Sequence, residues 1–235
     1  HYCYPRSLSA GDVDGDGDPD LIAANDRRRA NSLFINNGKG GFAEESAARL
    51  PGLAGETYRA LLGDLDGDGD LDVLNVNYGS PCTVCINDGK GYFTLSTGSF
   101  ARPLSGKLYC GALSDLDGDG DLDAVVGGEG AEGCGILENR KGVLSLVHGT
   151  FIPGLQVVAR DLVLLDQNGD GREDIVLGGR VLLINMGKLR FANGQGRWLP
   201  AHDLPVLQMA AADYDADGDR DFVCVNKQPA QSMFL

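Results

Sequence analysis

The sequence predicts an all-β chain, a β-propeller of four-stranded antiparallel blades, from three observations. Five acidic nine-residue segments recur with starts 52, 51, 51 and 47 residues apart. Short apolar runs of strand length bracket each of them, and no helical period intervenes. Glycine is abundant, at 35 of 235 residues, as a chain with many tight turns requires. Four strands repeated every ~40–50 residues is the pattern of propeller blades.

The strands follow in order. An apolar run precedes each acidic segment, at 7–10, 58–62, 108–113, 160–165 and 207–212, and predicts strand A. A β-rich run follows each segment, at 21–24, 73–76, 124–126, 175–177 and 222–225, and predicts strand B. Strand C is expected at 33–36, 84–87, 136–139, 182–185 and 233–235. A Gly-rich turn, such as 37–41 or 88–91, then leads to strand D near Phe42, Tyr92, Val143 and Leu189. The repeat units run about 5–57, 58–107, 108–158, 159–206 and 207–235 within a single domain. That makes four complete blades plus a fifth lacking its last strand, so the favoured expectation is part of a larger ring, the other being a five-bladed ring whose last blade lacks or borrows an outer strand. The chain opens at His1 without a basic-then-apolar leader, which fits either a processed secretory chain or an internal segment.

The acidic segments join strand A to strand B. They begin at Asp12, Asp64, Asp115, Asp166 and Asp213. Position 3 is Asp14, Asp66, Asp117, Asn168 and Asp215; position 5 is Asp16, Asp68, Asp119, Asp170 and Asp217. Position 7 is Asp18, Asp70, Asp121, Arg172 and Asp219; position 9 is Asp20, Asp72, Asp123, Asp174 and Asp221. Carboxylates packed this closely repel one another, and a hard cation relieves the repulsion. Ca²⁺ takes 6–8 oxygens in flexible geometry, whereas Mg²⁺ prefers to keep its waters. The side chains of positions 1, 3, 5 and 9 and the backbone carbonyl of position 7 are therefore the expected ligands, for about five Ca²⁺ in all. Position 6 is Gly in every loop, where the chain must turn sharply. An EF-hand is excluded, because its position 12 must be Glu. Here position 12 is Ala23, Asn75, Val126, Leu177 and Cys224.

The repeated loop, followed in the first unit by Phe34-Ile-Asn-Asn-Gly-Lys-Gly-Gly-Phe42, resembles the FG-GAP/VCBS repeat family. That family includes the integrin α-subunit propeller, fungal propeller lectins and many secreted microbial proteins. The resemblance covers essentially the whole chain and implies an extracellular Ca²⁺-binding propeller. It carries over Asp12, Asp14, Asp16, Asp20 and their equivalents as ligands. The fourth unit departs most, with Asn168, Arg172 and Glu173, and the fifth has Ala216 for Gly. Both sites are expected to be altered, the fourth more weakened.

Charge agrees with this reading. The chain carries 34 acidic and 20 basic residues, net −14. The five loops hold 24 of the acids and only Arg172 and Arg220 of the bases, so the remainder is net +8. The acidic balance argues against nucleic acid and anionic membranes, and no apolar run is long enough to insert in a bilayer. Strands of a meander alternate in direction, so A–B loops and C–D turns share one face. A protein or glycan partner, or self-association, is expected on the other, where Arg27, Arg28 and Arg29 stand in a B–C loop. The functions in view are an adhesion or protein-interaction module, a structural subunit of an extracellular fibre or surface layer, and a glycan-binding lectin. Trp198 is the only Trp, which counts against an aromatic platform in every blade. No catalytic motif occurs; outside the loops Asp26, Glu129, Glu132 and Asp161 are the only acids considered for catalysis, and no enzyme is expected. Six cysteines, Cys3, Cys82, Cys85, Cys110, Cys134 and Cys224, lead to an expectation of disulfides in an extracellular chain. No N-x-[ST] sequon is present, so N-glycosylation is not expected.

Overall fold

A computed structural model describes residues 5–130, 134–148, 158–194, 206–216, 218, 220–226 and 233–234. The first sheet has the order β1 (Pro5–Gly11), β2 (Asp20–Asn25), β3 (Ser32–Asn36), β4 (Phe42–Glu44). A one-turn helix α1 (Ser46–Arg49), not expected from the sequence, follows it. The second unit holds β5 (Thr57–Gly63), β6 (Asp72–Pro81), β7 (Thr83–Asn87) and β8 (Phe93–Ser96); the third holds β9 (Ser105–Ser114), β10 (Asp123–Glu129), β11 (Gly135–Arg140) and β12 (Val143–His148). The fourth sheet is β13 (Leu162–Leu165), β14 (Asp174–Leu177), β15 (Val181–Asn185), β16 (Phe191–Asn193). The last has three strands, β17 (Val206–Ala212), β18 (Asp221–Asn226) and β19 (Met233–Phe234).

Every pairing within a unit is antiparallel, and the register repeats. The last residue of each first strand pairs with the position-9 aspartate: Gly11 with Asp20, Gly63 with Asp72, Ser114 with Asp123, Leu165 with Asp174 and Ala212 with Asp221. Each acidic loop is thus the same closed excursion. Two features differ from expectation. The second and third units join in one sheet, because the ten-residue β6 and β9 pair at Tyr78–Lys107 and Pro81–Ser105. The fourth strand of the fourth unit begins at Phe191, not Leu189, because Lys188 and Leu189 turn in the left-handed region with φ 55° and 53°.

The first strands β1, β5, β9, β13 and β17 contact one another in succession. The apolar cores lie between neighbouring sheets. Ile22, Leu33 and Ala24 of the first unit pack with Val73 and Cys85 of the second. Leu74 and Val76 pack with Ala124 and Leu137, Val125 and Ile136 with Ile175 and Leu183, and Val176 and Leu182 with Phe222 and Cys224. The middle strand of a unit therefore has neighbours on both faces. This explains why β10 reads as unbroken Ala-Val-Val and β14 is buried throughout. The architecture is all-β, antiparallel and propeller-like.

The disulfide expectation is corrected. Cys82, Cys85, Cys110, Cys134 and Cys224 are free thiols, while Cys3 lies outside the described residues. They serve as small apolar core residues, spread over four inter-sheet clusters. Burial pushes the thiols of Cys82, Cys85 and Cys224 up to about 11. Ellman's reagent should leave these five unmodified in the native protein and titrate them after denaturation without reductant. Absence of thiol signal after denaturation would restore the disulfides.

Candidate functional site

Each acidic loop is organised by its first and last aspartates. Asp12 accepts backbone N–H bonds from Gly15 (2.8 Å), Asp16 (3.2 Å) and Gly17 (2.8 Å). Asp64, Asp115 and Asp166 repeat the pattern. The sharp turn expected at position 6 is present: φ is 92°, 96°, 97°, 85° and 99° at Gly17, Gly69, Gly120, Gly171 and Gly218. A side chain there would be strained.

Position 9 is buried in the first four loops and half-buried at Asp221 in the fifth. Asp72, Asp123 and Asp174 are 0% exposed and Asp20 is 1%. Both carboxylate oxygens are nevertheless satisfied. Asp72 Oδ2 accepts from Leu65 N (3.0 Å) and Oδ1 from Asn87 N (2.9 Å), and Asp20, Asp123 and Asp174 do the same in their units. Burial nonetheless raises the carboxyls of Asp72 and Asp123 to about 6. Asp14, Asp66 and Asp117 are also raised, by burial and then by neighbouring carboxylates.

Positions 1, 3 and 9 converge in four loops. The groups are Asp12, Asp14 and Asp20; Asp64, Asp66 and Asp72; Asp115, Asp117 and Asp123; and Asp213, Asp215 and Asp221. In each, one oxygen per residue lies within 4.8 Å of the others. In the first loop Asp14 Oδ1 is buried without a hydrogen-bond partner. That orphaned oxygen, among acids that repel it, fits a hard cation as its partner. Such clusters can hold a metal ion.

The remaining positions are placed differently. Asp16, Asp68 and Asp119 stand outside the triplets, where each Oδ1 accepts from the N–H of position 7 at 2.9, 3.0 and 2.9 Å. At position 7 the side chain leaves the loop: Asp121 accepts from Lys141 N (2.9 Å) in the Gly-rich turn, and Asp18 and Asp70 lie against Gly38 and Gly89 of theirs. Asp217 and Asp219 lie outside the described residues.

The fourth loop brings no such triplet together. Asn168 replaces an acid and donates from Nδ2 to Asp170 (3.1 Å), and Arg172 Nη2 pairs with the same carboxylate at 2.5 Å. A resident guanidinium already supplies positive charge. Two residues at the loops escaped sequence reasoning. Arg49 of α1 lies 3.5 Å from Asp14 and donates to Lys90 O (2.6 Å) of the next unit. An asparagine at the end of the third strand links loops in the second, third and fourth units: Asn87 Nδ2 donates to Val13 O (2.7 Å), Asn139 Nδ2 to Leu65 O (2.9 Å) and Asn185 Nδ2 to Leu116 O (2.9 Å).

On the opposite face Arg27 and Arg28 both have φ 58°, the geometry of a type I′ turn. That turn favours Asn-Gly, so two arginines there cost ~1–2 kcal/mol each. Three of the acids considered for catalysis are engaged in pairs: Asp26 with Arg6, Asp161 with Arg59 (2.8 Å), and Glu129 with Tyr109 Oη (3.0 Å) and Lys107 (3.7 Å). Glu132 and Trp198 lie outside the described residues. No described helix is long and apolar enough to cross a membrane.

In fold, the chain is similar to an Agrocybe aegerita lectin described for recognition of non-reducing terminal N-acetylglucosamine, at 22% identity and TM-score 0.64, covering 95% of this chain and 61% of the lectin. It is also similar to a V. cholerae biofilm matrix protein, at 22% identity and TM-score 0.55, covering 94% of this chain and 35% of the other. The chain thus spans under two thirds of the length of either. No curated protein sequence matches it. The FG-GAP-like repeat model matches residues 12–75 and 64–126. The loops at Asp12, Asp64 and Asp115 fall within those matches, so residues 12–126 carry FG-GAP-like repeats and place this part of the chain in that repeat family.

Proposed function

We propose that this protein is an extracellular, calcium-stabilised β-propeller module for adhesion or protein interaction, with its five repeats as successive blades and no catalytic role. The carrying observation is the same triplet of carboxylates at positions 1, 3 and 9 in four loops, with an unsatisfied buried oxygen at Asp14. Asp12, Asp14 and Asp20 and their equivalents would hold Ca²⁺, with position 5 and the position-7 carbonyl completing the oxygen shell. The ion supplies charge neutralisation; the chain supplies the fixed backbone that keeps the acids together. Millimolar extracellular calcium is the range in which such modules are loaded. Calcium titration after exhaustive dialysis should find ions at the four triplet loops and a fifth, weaker site at the loop of Asp166. Asn168→Asp with Arg172→Asp should strengthen that weaker site, because it removes the resident cation and restores an acid. Dialysed protein that takes up no calcium would refute the reading.

A second reading, glycan binding, has one observation in its favour. A cleft of about 270 Å³ between the first two sheets combines Asn31, Asn75, Asn77 and Thr83 with Leu50 and Leu53. Convergent amides over an apolar floor suit a small polar ligand. A glycan array that stays blank with calcium-loaded protein would remove it.

A further inference from the structure

The face away from the acidic loops carries an aromatic and basic stripe that metal binding does not use. Arg6, Tyr58, Tyr109 and Arg160 each stand six residues before the first aspartate of their loops, so they share one level of successive units. Their rings and guanidiniums touch in sequence. Arg6 lies 4.7 Å from the Tyr58 ring centre, Tyr58 5.3 Å from Tyr109, and Arg160 5.0 Å from Tyr109. Tyr78 completes a three-ring cluster at 5.4 Å from Tyr58 and 5.5 Å from Tyr109.

This level is also where the strands are irregular. The register of the first strand shifts between Pro5 and Ser7 and between Thr57 and Arg59, and its partner shifts between Gly127 and Gly128, opposite Tyr109. Arg6, Tyr58 and Tyr109 are therefore the extra residues of β-bulges. A bulge re-aims its side chain and recurs beside binding sites.

Cations outnumber acids here: Asp26 sits on Arg6 and Glu129 on Tyr109, against the guanidiniums of Arg6, Arg28, Arg29 and Arg160. Arg6 pairs with Asp26 but keeps donors to spare among its five N–H groups. Beside it stands the strained turn with exposed Arg28 and Arg29. Arg28 and Arg160 have no carboxylate partner among the described residues. The chain outside the loops is net +8. Tyrosine and arginine are also the residues that dominate interface energetics. Guanidiniums laid on tyrosine rings are held with their N–H edges available, so less freedom is lost when they bind.

We propose that this stripe docks an extended acidic segment of a partner protein. The inference rests on the reading that partners engage the face opposite the loops. The chain of contacts from Arg6 to Arg160 spans at most ~15 Å, which an extended peptide covers in ~5 residues at ~3.3 Å each. Acidic side chains near both ends of such a segment would meet one guanidinium each.

The test is fluorescence anisotropy with labelled octaglutamate and calcium-loaded protein, with heparin and octalysine as comparison probes. Octaglutamate should bind, octalysine should not, and raising salt from about 50 to about 300 mM should weaken binding. The Arg28→Gln/Arg160→Gln double variant alters exposed side chains and should lose about tenfold in affinity. Absence of octaglutamate binding, or binding that this variant leaves unchanged, overturns the proposal. Heparin capture through these arginines without octaglutamate binding also overturns it, in favour of a sulfated glycan. Calcium content is measured on the same samples. Full calcium with no peptide binding refutes the docking site alone, and peptide binding without calcium refutes the metal reading alone.

Discussion

Chelation with EGTA should lower the melting temperature sharply. Each site that binds only the native state stabilises it by ~2.7 kcal/mol at hundredfold excess of ion over Kd. For a chain of this size ~1 kcal/mol moves the midpoint by ~2–4 °C, so each emptied site should cost about 5–10 °C. The direction follows from the loops themselves. Asp72 and Asp123 are fully buried, and their carboxyls are raised because burial and neighbouring carboxylates oppose ionisation. Without a cation the native state must hold these charges against one another, whereas the unfolded chain lets them separate into water. Readdition of Ca²⁺ should restore the midpoint, and equimolar Mg²⁺ should restore it poorly, since Mg²⁺ surrenders its waters reluctantly. An unchanged melting curve, with calcium shown by elemental analysis to have left, would mean that the backbone bonds to Asp12 and its equivalents suffice to fold the loops.

Those loops were legible in the sequence because alternation of aspartates at two-residue spacing, repeated five times, has few physical explanations. The strands were legible for the same reason: Leu21, Val73 and Ala124 each follow a loop and open a buried run. Legibility failed where local pattern and tertiary use diverge. Leu189 looks like a strand residue and is buried, but it sits in a left-handed turn. The cysteines suggested bridges, yet they fill core positions between sheets, which composition cannot distinguish. Asp16 was expected beside Asp14 in the ligand cluster, whereas its oxygen is turned onto the N–H of Asp18. Arg6, Tyr58, Tyr109 and Arg160 look unrelated along the chain. They form a pattern only when each is counted back from its own loop and the bulges that turn Arg6, Tyr58 and Tyr109 are seen.

The recurring asparagine shows how far such a role can hide. Asn36, Asn87 and Asn185 end a third strand and Asn139 stands one residue before the end of its own, a position the sequence displays plainly. The reason lies 74 residues away for Asn139, at Leu65 of the preceding unit's loop. Asn139 is 1% exposed and spends its amide fully. Nδ2 donates to Leu65 O (2.9 Å) and Leu122 O (3.1 Å), and Oδ1 accepts from Gly142 N (3.0 Å). Truncation by Asn139→Ala strands two carbonyls and one N–H at a buried junction. At ~1–3 kcal/mol for each buried group left unpaired, part of it recovered by water, the loss should reach about 3–5 kcal/mol. Asn139→Asp should do no better, since a carboxylate cannot donate to those carbonyls and adds charge between two acidic loops. The neighbouring Arg140, with its side chain 74% exposed, is the control, and Arg140→Ala should change stability by less than ~0.5 kcal/mol. The effect should persist in EGTA, because these bonds join backbone to side chain and need no ion. That persistence separates a clasp from a ligand. If Asn139→Ala unfolds within ~1 kcal/mol of the parent, adjoining loops are held by their sheets alone and the asparagine is dispensable.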